Sequence, residues 1–166
     1  EKCEAMRNFA NKIWNASRYV LTNCEGRTIK SIHDVKLGHA DKWIISRLQA
    51  TIRDVTLALN KLELGIACQT AYDFMWYDFC DWYIELTKSA LWSDDEAKKD
   101  TALAVLVYVL DSALKLLHPF VPFVTEKIYS ELPGASGRIM LAAYPRYNSR
   151  LTYRKEAQAF AGVMDI

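Results

Sequence analysis

The residues able to do chemistry concentrate in two stretches. In the first, Asp78, Asp81 and Glu85 recur at helical spacing, so one helix face carries three carboxylates. Such a cluster can bind a metal or share a proton. Yet the chain holds only His33, His39 and His118, and none of its nine glutamates is followed by a histidine three residues on, which removes the di-iron bundle pattern. The acids are read as a polar seam that pairs with lysines or arginines of neighbouring elements, and His118 as a helix-end residue bonding a last-turn carbonyl. Cys3, Cys24, Cys68 and Cys80 lie far apart with no Cys-x-x-Cys pair; they are expected to be reduced, buried thiols rather than zinc ligands or disulfide partners. No Gly-x-Gly-x-x-Gly, Walker-type loop, Gly-x-Ser-x-Gly or His-Glu-x-x-His occurs. No catalytic residue and no metal ligand is assigned.

The second stretch covers residues 7–19. At roughly 100° per residue, Phe9, Ile13, Ala16 and Val20 form one apolar face, with Asn8, Lys12, Asn15 and Tyr19 to one side of it. Arg7, Asn11, Trp14 and Arg18 point away from that face. This mixture suits single-stranded RNA: unstacked bases lie on aromatic rings for about 1–3 kcal/mol each, amides match base edges, and cations anchor phosphates. Periodicity alone equally allows Trp14 to pack beneath another helix while the polar groups face water.

Both stretches fall on helices. A first helix is expected over residues 2–22, followed by a loop over residues 23–30 that contains Gly26. Asp41 is the expected N-cap of a second helix with the stripe Ile44, Leu48, Ile52, Val55 and Leu59. A third helix over residues 67–87 carries Tyr72, Phe74, Trp76, Tyr77, Phe79, Trp82 and Tyr83 on nearly every side, the pattern of a buried bundle centre. Ser93 and Asp94 are expected to cap a fourth helix that His118-Pro119 stops. Pro122 suits the first turn of a short fifth helix to Leu132. Residues 139–143 read as extended, and an amphipathic helix from Tyr153 is still running at Ile166, as in a piece of a larger protein. The fold class is all-α, a bundle of about five helices with a short extended segment near 139–143. The bundle is assigned residues 1–150, and residues 151–166 start a C-terminal helix leading to the next segment.

With 166 residues, 51% of them hydrophobic, the chain is long enough for one substantial core in a single soluble domain. No apolar run reaches the roughly 18 residues of a membrane span, and no signal-peptide pattern opens the chain; a cytoplasmic location is expected. A net charge of +1 argues against a strongly basic nucleic-acid binder. Its distribution says more: residues 1–30 hold six Lys/Arg against three Glu, whereas residues 31–100 hold eight against twelve acids. Such a chain would recognise a polyanion by shape and particular side chains more than by charge.

The run Arg7-Asn8-Phe9-Ala10-Asn11-Lys12-Ile13-Trp14-Asn15-Ala16-Ser17-Arg18-Tyr19 resembles the opening of the anticodon-binding domain of valyl-tRNA synthetases. Ala40-Asp41-Lys42-Trp43-Ile44-Ile45-Ser46-Arg47-Leu48 is similar to the start of that family's second helix, and Tyr77-Asp78-Phe79-Cys80-Asp81-Trp82-Tyr83-Ile84-Glu85-Leu86-Thr87-Lys88 to its third. Leu117-His118-Pro119-Phe120-Val121-Pro122-Phe123-Val124-Thr125-Glu126 resembles a segment shared by the valyl, isoleucyl and leucyl enzymes. The resemblance covers essentially the whole chain. Ser89-Ala90 departs from it, standing where the family usually has Pro-Arg, and Tyr19 stands where some members have phenylalanine.

This resemblance implies a protein that joins valine to its tRNA with ATP, through an adenylate, and edits misactivated threonine elsewhere. Neither the His-x-Gly-His nor the Lys-Met-Ser-Lys-Ser signature of the class I catalytic domain is present. It therefore implies a non-catalytic anticodon-binding domain with no cofactor of its own, ATP and magnesium belonging to the parent's catalytic domain. The implied partners are the anticodon loop of tRNA(Val) and that catalytic domain in the same polypeptide; the protein would be monomeric and free of membrane. The family reads the middle adenine and last cytosine of the anticodon, a role carried onto Lys12, Asn15, Arg18 and Tyr19, then Asn8 and Trp14, with Arg47 as a backbone contact. Two alternatives stay open: the isoleucyl or leucyl branch, and a helical protein-interaction module. The second requires an exposed apolar patch and is incompatible with burial of Trp76, Phe79 and Trp82.

Overall fold

The computed structural model describes the backbone of residues 2–164 and the side chains of Glu4 and residues 6–160. Seven α-helices follow in order among the described residues: α1 (Lys2–Cys24), α2 (His39–Asn60), α3 (Leu64–Asp73), α4 (Ile84–Leu91), α5 (Glu96–Leu117), α6 (Pro122–Tyr129) and α7 (Arg154–Met164). A π-helical segment, Phe74–Tyr83, joins α3 to α4 without a break. No strand occurs among the described residues, and no helix there is long and apolar enough to cross a membrane.

The buried centre is α5, not the aromatic third helix. Helix α5 packs against α1, α2, α3, α4 and α6, and Leu103, Val105, Leu106, Val109, Leu110, Ala113, Leu114 and Leu117 are all buried. The third helix buries Phe74, Met75, Asp78, Phe79 and Tyr83 but leaves Tyr77 and Trp82 exposed and Trp76 half-buried. The cause is local. In the π segment the Ile84 N–H donates to the Phe79 carbonyl five residues back, so the widened turn carries side chains around the axis more slowly than ordinary helical spacing assumes.

Several ends differ from expectation for reasons of hydrogen bonding. Helix α2 starts at His39 with Gly38 as its cap, and Asp41 sits inside the first turn, accepting from the Gly38 N–H at 2.8 Å. The same carboxylate accepts the buried Tyr83 hydroxyl at 2.6 Å; burial and this neighbour push the phenol well above its ordinary pKa. Asp95, rather than Ser93 or Asp94, caps α5 by accepting from the Ala97 and Lys98 N–H groups. Ser93 instead donates to the Ala90 carbonyl.

His118 does not bond a last-turn carbonyl through its ring: Nδ1 lies 2.8 Å from the Thr125 hydroxyl. The hydroxyl also lies within hydrogen-bonding distance of the Val121 carbonyl, and the His118–Thr125 contact staples the end of α5 to α6. Residues 139–141 form a 3₁₀ turn instead of an extended segment, because Ile139 buries its side chain and its N–H reaches Glu126. Helix α7 lies on α2, with Phe160 stacked on Trp43 at 5.3 Å and the Tyr153 N–H donating to Ser46. The expected continuation of this helix to Ile166 lies outside the described residues.

Cys24 is a buried free thiol, while Cys68 and Cys80 are only half-buried; the side chain of Cys3 lies outside the described residues. The loop after α1 turns at Gly26, whose φ of 70° is the left-handed conformation that ends helices. It is then tied to the start of α5 by Arg27–Glu96 at 2.8 Å and Lys30–Asp100 at 2.7 Å. The bonds from Arg27 and Lys99 hold the Glu96 carboxyl at about 2.

Phe9, Ile13, Ala16 and Val20 form the buried face of α1 as expected. Ile13→Ala should cost about 2–5 kcal/mol, read as a fall in the urea midpoint, whereas Asn15→Ala on the exposed side should stay within about 0.5 kcal/mol of the parent.

Candidate nucleic-acid interface

Helix α1 runs parallel to the third helix, and aromatic packing sets the alignment. Phe9 meets Tyr72 at a centroid distance of 4.2 Å and Trp76 at 6.2 Å. One turn further on, the Lys12 ammonium lies over the Trp76 ring, 3.7 Å from its centroid, and donates to Asp81 at 2.6 Å. The two helices thus leave an open groove of about 490 Å³, lined by Asn8, Asn11, Lys12, Asn15, Ala16, Tyr19, Cys80, Ile84 and Lys88.

The stripe Asn8, Lys12, Asn15 and Tyr19 is therefore one wall of a single concavity. Asn8, Asn11 and Asn15 are exposed, each offering a donor and an acceptor to whatever enters. Tyr19 is half-buried, and its hydroxyl is turned inward without a hydrogen-bond partner. The nearby Thr87 hydroxyl is spent on the Ile84 carbonyl at 2.7 Å. Burial raises the Tyr19 phenol and neighbouring Lys88 opposes the rise, so the groove meets a neutral ring. Asn11 and Lys88 also line the groove, although helical spacing places Asn11 on the outward stripe and the position of Lys88 depends on how the third helix lies against α1.

The remaining candidates lie elsewhere. Trp14 and Arg18 flank a narrow cleft on the α6 side of α1, beside Ser17, Leu21, Ile128 and Glu131; Trp14 stays 38% exposed and is not packed beneath another helix. Arg47, on α2, spends its guanidinium on the buried Asp78, with Nε 3.0 Å from Oδ2. Ser89 is exposed.

Two of the three carboxylates pair across to neighbouring helices, as the polar-seam reading expects, Asp78 with Arg47 and Asp81 with Lys12, whereas Glu85 pairs at 2.7 Å with Lys88 of its own helix. Among the described residues no group of three His, Cys, Asp or Glu is placed to hold a metal. Cys80, on the groove wall opposite α1, has its thiol pushed up to about 12 by burial, so it is protonated and a poor nucleophile at neutral pH. Two larger hollows, one walled by α4 and the start of α5 and one by α5 and the turn at Gly134, lack the row of amides. What the α1 groove can do is hydrogen-bond flat polar edges and support a ring.

Residues 41–166 match the family described as the anticodon-binding domain of tRNA ligase, and the chain belongs to that family. Over 166 residues it is 46% identical to the valine–tRNA ligase of Clostridium acetobutylicum, a match covering 99% of this chain and 19% of that protein. The valine–tRNA ligases of Anoxybacillus flavithermus and Geobacillus stearothermophilus are each 46% identical over all of this chain and 19% of their own length. The chain thus spans about a fifth of these relatives, and the groove residues of α1 fall inside the match to them although outside the family's residues 41–166.

Burial raises the Asp78 carboxyl, and Arg47 only partly opposes it. A raised carboxyl binds its proton more tightly in the folded chain, so this group's contribution declines as pH rises from the ordinary carboxylate range through the folded value. Asp78→Asn should flatten the fall of the urea midpoint as pH rises from the ordinary carboxylate range, about pH 4. An unchanged slope would mean that Arg47 fully offsets the burial.

Proposed function

We propose that the α1 groove holds the anticodon loop of tRNA(Val), and that the polypeptide carrying this domain attaches valine to that tRNA. The supporting observation is the row of exposed amides and the half-buried ring along one groove, in a chain 46% identical to valine–tRNA ligases over nearly its whole length. Asn8, Asn11 and Asn15 would bond base edges, Tyr19 would support a stacked base, and Lys12 would donate from the floor. Trp14 and Arg18, on the other side of α1, would meet the flank of the loop. Arg47 would touch RNA only by giving up Asp78.

Nothing in this arrangement forms or breaks a covalent bond. ATP and magnesium would be bound by a catalytic domain elsewhere in the same polypeptide, working as a monomer in the cytoplasm. The domain's share of the work is to place the tRNA.

Titration with anticodon stem-loops at one stated, low salt concentration tests this. The valine anticodon should bind roughly five- to 150-fold tighter than one with a changed middle base, since a paired base edge carries about 1–3 kcal/mol. Asn15→Ala should lower affinity for the matched loop while the helical circular dichroism is unchanged. Equal affinity for both loops would refute the reading, and tighter binding of an isoleucine or leucine anticodon would redirect it.

A further inference from the structure

Both ammonium groups of the groove are neutralised from behind: Lys12 by Asp81 at 2.6 Å and Lys88 by Glu85 at 2.7 Å. The thiol beside Lys12 is protonated and the three amides are neutral. A groove for a polyanion that cancels its own positive charge gives up the sequence-independent attraction that unpaired cations exert on phosphates. We infer that Asp81 is a positioning residue that pins the Lys12 ammonium at the groove floor and withholds its charge from phosphates, so that the groove discriminates by base-edge hydrogen bonding.

The geometry around Lys12 carries this. A lysine ordinarily sweeps a large volume on four rotatable bonds. Here its ammonium is fixed between a ring face at 3.7 Å and a carboxylate at 2.6 Å, and the side chain is only 25% exposed. One of its three donors is committed to Asp81, leaving others for an acceptor in the groove. Without Asp81, the ammonium would be free to follow the nearest phosphate of any strand. The Lys88–Glu85 pair is the more exposed counterpart at the other end, with 33% and 59% of the side chains open to solvent.

This inference rests on the groove being the RNA site, and the two separate experimentally. Asp81→Asn is nearly isosteric at a side chain 45% exposed, so the fold should survive. Its affinity for matched and middle-base-changed stem-loops is measured from low to moderate salt beside the parent and Asp81→Glu. The expected result is tighter binding of the mismatched loop, a loss of roughly tenfold in discrimination, and a salt slope steeper by about 0.7, one added phosphate contact on a single strand. Asp81→Glu, which keeps the pair within reach of the flexible lysine, should restore discrimination. Parental discrimination and salt slope in Asp81→Asn would overturn the inference while leaving the site intact. A parent that fails to discriminate would instead remove the reading beneath it.

Discussion

The π-helical segment Phe74–Tyr83 has to satisfy two neighbouring helices and the core at once. Its Tyr83 hydroxyl locks the first turn of α2 through Asp41, Asp78 pairs with Arg47 further along α2, and Asp81 reaches across to Lys12 on α1. Phe79, from the same ten residues, is wholly buried and lies against the Tyr83 ring at 6.5 Å. An ordinary helix would turn too fast for acids at 78 and 81 to face two different helices while Phe74, Phe79 and Tyr83 stay in the core. The wide turn resolves this conflict. It also makes the α1 groove a product of the third helix as much as of α1, since Cys80, Ile84 and Lys88 form its second wall.

Much of this was legible because it is periodic. The buried face of α1 and most of the α2 stripe emerge from spacing alone: Ile44, Leu48, Ile52 and Val55 are all buried. The stop at His118-Pro119 and the start at Pro122 both follow from the missing proline N–H. What failed depended on competition between nearby donors and acceptors. Asp41, Ser93, Asp94 and Asp95 are all acceptable caps by type, and only the folded backbone decides which carboxylate reaches which N–H. The third helix misled for a different reason, because a pattern read with α-helical spacing cannot reveal a stretch that does not keep it.

The site divides in the same way. Asn8, Lys12, Asn15 and Tyr19 share a stripe, and sequence grouped them correctly. That Lys12 is paired, that the Tyr19 hydroxyl faces inward and that Arg47 is occupied by Asp78 are tertiary facts without a local signature. They alter the chemistry. A stripe that reads as basic and aromatic becomes a charge-balanced groove with neutral hydrogen-bonding edges, consistent with a chain whose net charge is only +1.

The central claim is that RNA is held in the α1 groove. It is tested most directly by following the side-chain amide resonances of the asparagines while the valine anticodon stem-loop is added. The Asn8, Asn11 and Asn15 amides should shift together and saturate with one affinity, while Asn60, at the end of α2, and Asn148, capping the last 3₁₀ turn, stay in place. Shifts confined to residues outside the groove, with the three α1 asparagines unmoved at saturation, would contradict it.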